Sequence, residues 1–347
     1  MKNLNLGKRM FIDVRKFGLV CTLLIVFVAL FFMFVSNKAE GEEGVITLTL
    51  TMPPSAREHP CVEGMFRFKE LVEERSNGAI IINCYYSGEL GGVDSALLSL
   101  TQAGSIDILQ TTNPVVASIE PMLSVLNMPY LFRDKEHANK VLASNLLQPY
   151  FDDIKNKKLI KLAIYNETWR HIFNSKRLIY KPEDLHGLKM RVMETPVNIA
   201  TMKAMGANAT PMSWGEVYLS LRNKTIDGLD IQINGAYAES LYETGSYFSL
   251  TYTFLQQFWY VMNLEKFNSL SSKHQEILFE SAKEAGLYAS QITDESEVKM
   301  VGELILKHGM SVNNVDMGLF RKATESVYEK FKDQFPLELI ENIRSIK

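Results

Sequence analysis

The alternation of strand-type and helix-type hydrophobic patterns between residues 45 and 110 constrains this chain more than any other feature. Val45–Met52 (VITLTLTM) alternates β-branched and apolar residues, and Pro53-Pro54 ends it. Val62–Arg75 carries Val62, Met65, Phe66, Leu71 and Val72 at helical spacing, and Asn77-Gly78 stops it. Ala79–Tyr85 has the pattern of a buried strand, Val93–Gln102 that of a helix closed by Gly104, and Ser105–Gln110 that of a third strand. A βαβαβ run of this kind predicts a parallel sheet with helices packed against it.

A second α/β set follows. Leu159–Ile164 reads as a strand leading to Trp169-Arg170, Leu188–Val192 (LKMRV) as a short strand, and Pro196–Met205 as a helix ended by Gly206. Ser213-x-x-Glu216 has the form of a capping box opening a helix to about Asn223, and a strand is expected after Asp227-Gly228, through Ile233. Phe254–Met262 (FLQQFWYVM) reads as a further sheet strand. Ser272-x-x-Gln275 has the form of a second capping box, before a helical pattern that runs to about Lys307, with Gly286 and Gly302 as possible bends. At about 1.5 Å per residue that helix spans roughly 45 Å, longer than one lobe, and can serve as a spine across two. A chain of 347 residues exceeds what one core usually serves. The expected fold is therefore α/β with two lobes, a ligand cleft between them and a long spine helix. The boundaries expected are an N-terminal segment at 1–40, lobe I at 45–167 with a return segment at about 255–290, and lobe II at 168–254 with C-terminal helices at about 291–347.

The N-terminus carries a basic flank (Lys2, Lys8, Arg9, Arg15, Lys16) and then an uncharged apolar run, Phe17–Val35, of about 19 residues. That order is the order of an export signal, while the length approaches the ~20 residues needed to span a bilayer. A cleaved signal and an uncleaved membrane anchor both satisfy it, and both place the residues after about 40 outside the cytoplasm. Cys61 and Cys84 are the cysteines of the exported part; an oxidising compartment permits a disulfide between them, and two buried free thiols are the alternative. Net charge is −3, with no basic excess to indicate nucleic acid.

Signatures of catalysis are missing from the sequence. The six histidines include no HxxxH or HExxH pair, and neither GxSxG, GxGxxG nor GxxxxGK[ST] occurs. No metal, no cofactor and no enzymatic activity are expected.

The ordered motifs are more specific. KPEDLHGLKMRVMETP (Lys181–Pro196) is followed by MKAMGANATPMSWGEVYLSL (Met202–Leu221) and IDGLD (Ile226–Asp230). This succession resembles the solute-binding subunits of TRAP transporters (tripartite ATP-independent periplasmic transporters), the DctP family. TMPPSAREHP (Thr51–Pro60), SNGAIIINCYYSGELGG (Ser76–Gly92), AGSIDI (Ala103–Ile108), LNMPYLFRDKEHA (Leu126–Ala138) and LSSKHQEILFESAKEAG (Leu270–Gly286) are similar to other segments of that family, so the resemblance covers roughly residues 45–290. It implies a periplasmic-binding-protein-like fold and an extracytoplasmic, monomeric receptor. Such a receptor captures an organic acid, a sugar acid or a C4-type dicarboxylate, and delivers it to small and large membrane permease subunits. The same fold would also serve a ligand-sensing module for a membrane receptor, and an extracytoplasmic enzyme is a third reading.

The resemblance also implies site residues. Alternation in LKMRV leaves Lys189 and Arg191 tied on one face; the family's KxRV pattern selects Arg191 as the carboxylate clamp, a role that suits a planar guanidinium with two parallel N–H donors. Arg170, with His171 beside it as the neighbour that could be mistaken for it, resembles a second family arginine. Trp214 falls at an aromatic pocket position. Ile231 stands where relatives commonly have Asn, so either Gln232 or Asn234 compensates or the ligand differs; Asp230 replaces the usual Glu. Glu89, Thr112 and Asn113 lie on loops that the resemblance places at the cleft, where they are expected to read hydroxyl groups.

Overall fold

The computed structural model describes residues 44–347; the predicted export segment lies outside them. Nine strands form one sheet: β1 (Ile46–Thr51), β2 (Ile80–Tyr85), β3 (Ile108–Thr112), β4 (Leu159–Asn174), β5 (Lys189–Val192), β6 (Asn208–Pro211), β7 (Gly228–Ile231), β8 (Tyr247–Asn263) and β9 (Ser311–Asn314). Their order is β2-β1-β3-β8-β4-β7-β5-β6, with β9 paired to β8. The longer helices are α1 (Pro60–Arg75), α2 (Asp94–Gln102), α3 (Lys135–Ala143), α4 (Pro196–Ala204), α5 (Ser272–Leu306), α6 (Met317–Lys330) and α7 (Leu337–Ser345).

The first βαβαβ unit forms as its pattern predicts: β1 pairs in parallel with both β2 and β3. In the second, β5 is parallel to both β6 and β7, and β6 is a strand that the sequence pattern did not show. The sequence pattern did not show how these units join. β4 is not a strand of six residues but of 16, and β8 has 17. They run antiparallel to each other from Leu159↔Asn263 to Asn174↔Tyr247, so both pass through both halves of the sheet. The pairing slips between Asn166 and Trp169, where the strands cross from one half to the other. Trp169-Arg170 thus lies within a strand rather than after one.

The spine helix is continuous over 35 residues. Gly286 does not interrupt it. A Cβ there would sit 2.7 Å from the Tyr165 ring, so the glycine lets the helix lie close against β4. Its cap is one residue earlier than expected: the Ser271 side chain accepts from the backbone N–H of His274. Beneath it, one core joins Leu48, Leu50, Val62, Phe68, Tyr260, Ala282 and Ala285 from β1, α1, β8 and α5. On the other face of the sheet, Leu97, Val125, Phe151 and Trp259 pack with Ile340 and Ile343 of α7. Cys61 and Cys84 are free thiols, not a disulfide.

Candidate ligand-binding site

The parallel strands β1, β3, β5 and β7 all direct their carboxyl ends toward one cavity of about 300 Å³. Ligands of open α/β sheets commonly bind at such strand ends, where side chains leave the ladder and converge. Met52 and Pro53 follow β1, Thr112 ends β3, Met193 and Glu194 follow β5, and Ile231 and Gln232 close β7. Phe258 of β8 and Arg170 of β4 form the floor where the two halves join.

The tie in LKMRV is broken by burial. Lys189 is exposed, whereas Arg191 is only 3% exposed and faces the cavity. The Nε–H of Arg191 donates to the Met212 carbonyl at 2.9 Å, a neutral acceptor, and its Nη1 has no hydrogen-bond partner among the described residues. Burial, and then the neighbouring cation Arg170, lower this guanidinium to about 10, so it stays protonated at neutral pH. A buried donor without a partner is costly unless something supplies an acceptor.

Arg170 is held differently. Its Nε–H donates to Asp230 Oδ2 at 2.6 Å, its Nη1 to Gln232 Oε1 at 3.0 Å and Gln256 Oε1 at 2.7 Å, and its Nη2 to the Asp230 carbonyl. The charge is therefore balanced inside the protein. Gln232 lines the cavity, yet both ends of its amide are engaged: Oε1 accepts from Arg170 and Nε2 donates to Glu167 at 2.8 Å. Asn234 also donates to Glu167, at 2.8 Å. These amides hold a buried carboxylate in place. His171 is fully buried and lies outside the cavity lining; its Nδ1 accepts from the backbone N–H of Tyr252.

Trp214 lines the cavity, with the Arg191 guanidinium 5.7 Å from its ring centroid. Its indole N–H donates to the Pro54 carbonyl at 3.0 Å. Ser213 precedes the expected helical segment, residues 214–222, but its side chain makes no cap hydrogen bond, contrary to the capping-box pattern. Its hydroxyl donates to Asp94 Oδ2 at 2.9 Å, and that oxygen also accepts from the Trp214 backbone N–H. Sequence reasoning missed Asp94, because its partners stand 119 and 120 positions away.

Two expected site residues are placed elsewhere. Glu89 is exposed and accepts from the Ser87 backbone N–H at 2.8 Å, bracing its own turn. Asn113 is fully buried; it donates to the Leu123 carbonyl and Asn127 Oδ1 and accepts from the Trp259 indole. Every polar atom of that amide has a structural partner. Thr112, one residue earlier, does line the cavity, and its side chain makes no cap hydrogen bond.

His59 and Cys61 also reach the cavity wall. Cys61 Sγ lies 2.8 Å from His59 Nδ1, and Glu167 Oε1 lies 3.8 Å from that same nitrogen. An activated nucleophile needs its acid on the opposite ring nitrogen, orienting the base. Burial, reinforced by the Glu167 and Glu239 charges, pushes the Cys61 thiol well up, so it remains protonated. Among the described residues no cluster of three or more His, Cys, Asp or Glu could hold a metal ion.

Comparison with known proteins agrees with this geometry. Residues 54–334 match the family model DctP, described as bacterial extracellular solute-binding protein, family 7. The 2,3-diketo-L-gulonate-binding periplasmic protein YiaO of Escherichia coli K12 is 32% identical over 272 residues, 78% of this chain and 81% of YiaO. A TRAP periplasmic solute-binding protein of Bordetella, with density ascribed to pantoate, superposes with a TM-score of 0.84 at 27% identity, covering 87% of this chain and 99% of its own. One from Polaromonas sp. JS666, bound to D-erythronate, gives 0.83 at 28% identity, with coverages of 87% and 99%. The two-lobe architecture and the spine helix are theirs as well as this chain's. With the family model spanning most of its length, the chain belongs to the DctP family of bacterial extracellular solute-binding proteins, the binding components of TRAP transporters.

Proposed function

We propose that Arg191 is the clamp by which this chain holds its solute, pairing through its guanidinium with a ligand carboxylate. The chain is an extracytoplasmic solute-binding protein of a TRAP transporter, and its ligand is an organic acid. The relatives named above are associated with 2,3-diketo-L-gulonate, pantoate and D-erythronate, all of them carboxylates. The observation that carries the role of Arg191 is its buried, protonated guanidinium on a cavity-lining residue, with Nη1 unpartnered among the described residues. Trp214 walls the site and Thr112 offers a hydroxyl. Arg170, fixed by Asp230, adds positive potential and shapes the floor rather than clamping the acid, and Gln232 positions Arg170. No chemistry is done on the acid. Family members work with membrane permease subunits; delivery here is to a small and a large subunit, from an export segment at 1–40 that tethers the chain if it is not cleaved.

A thermal-shift panel of organic acids tests this. Ligand at about 100 times its Kd stabilises by about 2.7 kcal/mol. Arg191→Ala is expected to weaken the best acid by at least about thirtyfold, since a buried charge-assisted pair is worth about 2–5 kcal/mol. Unchanged affinity in that variant removes the clamp role.

A further inference from the structure

The cavity is poorly equipped to read a polyhydroxylated ligand. Ser55 and Ser118 line it, but their hydroxyls donate to the Pro53 and Val115 carbonyls at 3.1 and 2.7 Å. The Gln232 amide is held at both ends by Arg170 and Glu167, and the Trp214 N–H by Pro54. Ser95, Thr112, Asp94 and Glu194 remain as polar lining, beside a larger hydrocarbon and thioether surface that includes Met193, Met212, Ile231 and Phe258. Each ligand hydroxyl placed against that wall would lose water without gaining a partner.

Charge narrows the ligand further. Arg170 is balanced by Asp230 at 2.6 Å, which leaves Arg191 to meet an anion. Asp94 and Glu194 are also on the cavity wall, and Asp94 Oδ2 is fixed there by Ser213 and Trp214. A second carboxylate on the ligand would face like charges and no second unbalanced cation.

We infer that this chain selects a monocarboxylate with a compact, branched hydrocarbon body and at most one or two hydroxyl or oxo groups, with Ile231 as a specificity-determining residue, and that it rejects dicarboxylates and polyhydroxylated sugar acids. This rests on the carboxylate-clamp reading of Arg191 and adds what surrounds the clamp. Ile231 closes β7 with its side chain on the cavity wall, 1% exposed. An amide there would convert part of the apolar wall into a hydroxyl reader.

The test is titration calorimetry of the purified full-length chain with 2-hydroxy-3-methylbutanoate, pantoate, erythronate, glucuronate, malate and succinate. The two branched acids are expected to bind at least about tenfold more tightly than glucuronate, malate and succinate, within the range of about ten- to hundredfold that apolar pockets achieve. Ile231→Asn is expected to shift the ratio of erythronate to 2-hydroxy-3-methylbutanoate affinity about tenfold toward erythronate, and Ile231→Val to leave it in place. Glucuronate, malate or succinate binding as tightly as the branched acids overturns this inference while leaving the clamp intact. An Asn variant that folds and keeps the original ratio overturns the role of Ile231, and the wild-type panel decides the ligand class even if that variant fails to fold. If no carboxylate binds at all, the clamp reading fails with it.

Discussion

The indole Nε1–H of Trp214 donates to the backbone carbonyl of Pro54 at 3.0 Å, joining segments 160 positions apart across the mouth of the ligand cavity. Beside it, Ser213 and the Trp214 backbone both donate to Asp94, and Gly215 lies so close to Gly92 that a Cβ would sit 2.7 Å from its carbonyl oxygen. The aromatic wall of the pocket is therefore also tied to the segment that follows β1 and to the start of α2.

Replacing Trp214 with Phe keeps an aromatic wall and removes the N–H. A typical net hydrogen bond is worth about 0.5–1.5 kcal/mol, so ligand dissociation is expected to accelerate about two- to tenfold. Rapid-mixing dissociation kinetics read this directly; an unchanged off-rate means that the Pro54 contact does not hold the closed form.

The two cavity arginines are predicted to separate stability from binding. Asp230→Asn leaves Arg170 buried without its counter-charge, and breaking a buried pair in this way costs about 3–5 kcal/mol. Arg191→Ala removes a cation whose Nη1 has no partner among the described residues, and is expected to destabilise the unliganded chain less than Asp230→Asn does. Urea unfolding of both variants without ligand checks the order.

His171 makes stability depend on pH in a defined window. Burial, with the Arg170 charge beside it, lowers its imidazole from 6.5 to about 3. The folded chain therefore binds fewer protons than the unfolded chain between those values, and stability rises with pH there. Its contribution is fully present above about pH 6.5 and is lost as pH falls toward 3, at up to about 1.4 kcal/mol per pH unit. The difference in unfolding free energy between wild type and His171→Gln, followed from pH 7 to 4, is expected to carry this slope; a flat difference contradicts it.

Two glycines of the spine helix are predicted to respond oppositely to alanine. Gly286 faces the Tyr165 ring, where a Cβ would meet carbon at 2.7 Å, so Gly286→Ala is expected to cost about 1–3 kcal/mol. At Gly302 an added Cβ meets nothing within 4 Å, and Gly302→Ala is expected to stabilise by about 0.5–1 kcal/mol through helix propensity. Thermal or urea unfolding distinguishes the two.

Much of the fold was legible because its signals are local. The first βαβαβ unit, β5 and β7 of the second, and the spine helix to within a residue or two at its ends follow from hydrophobic period and stop residues; the four-residue β6 does not. β4 and β8 were under-read: Asn166, Glu167, Thr168 and Arg170 interrupt the apolar pattern of a strand, yet all four are buried and satisfied by distant partners. Ser213 misled for the same reason, since a local capping pattern concealed a hydroxyl that serves Asp94.

By itself the sequence determined the α/β class, the family and Arg191 as the candidate clamp, because periodicity and ordered motifs are written in nearby residues. The tertiary structure decided which polar groups are still available in the cavity. Gln232 and Asn113 look as suitable for a ligand as Arg191 does, until their partners are known: Glu167 and Arg170 for one, Leu123, Asn127 and Trp259 for the other. A hydrogen-bonding group has a limited number of donors and acceptors, and only the folded arrangement shows which of them are already satisfied.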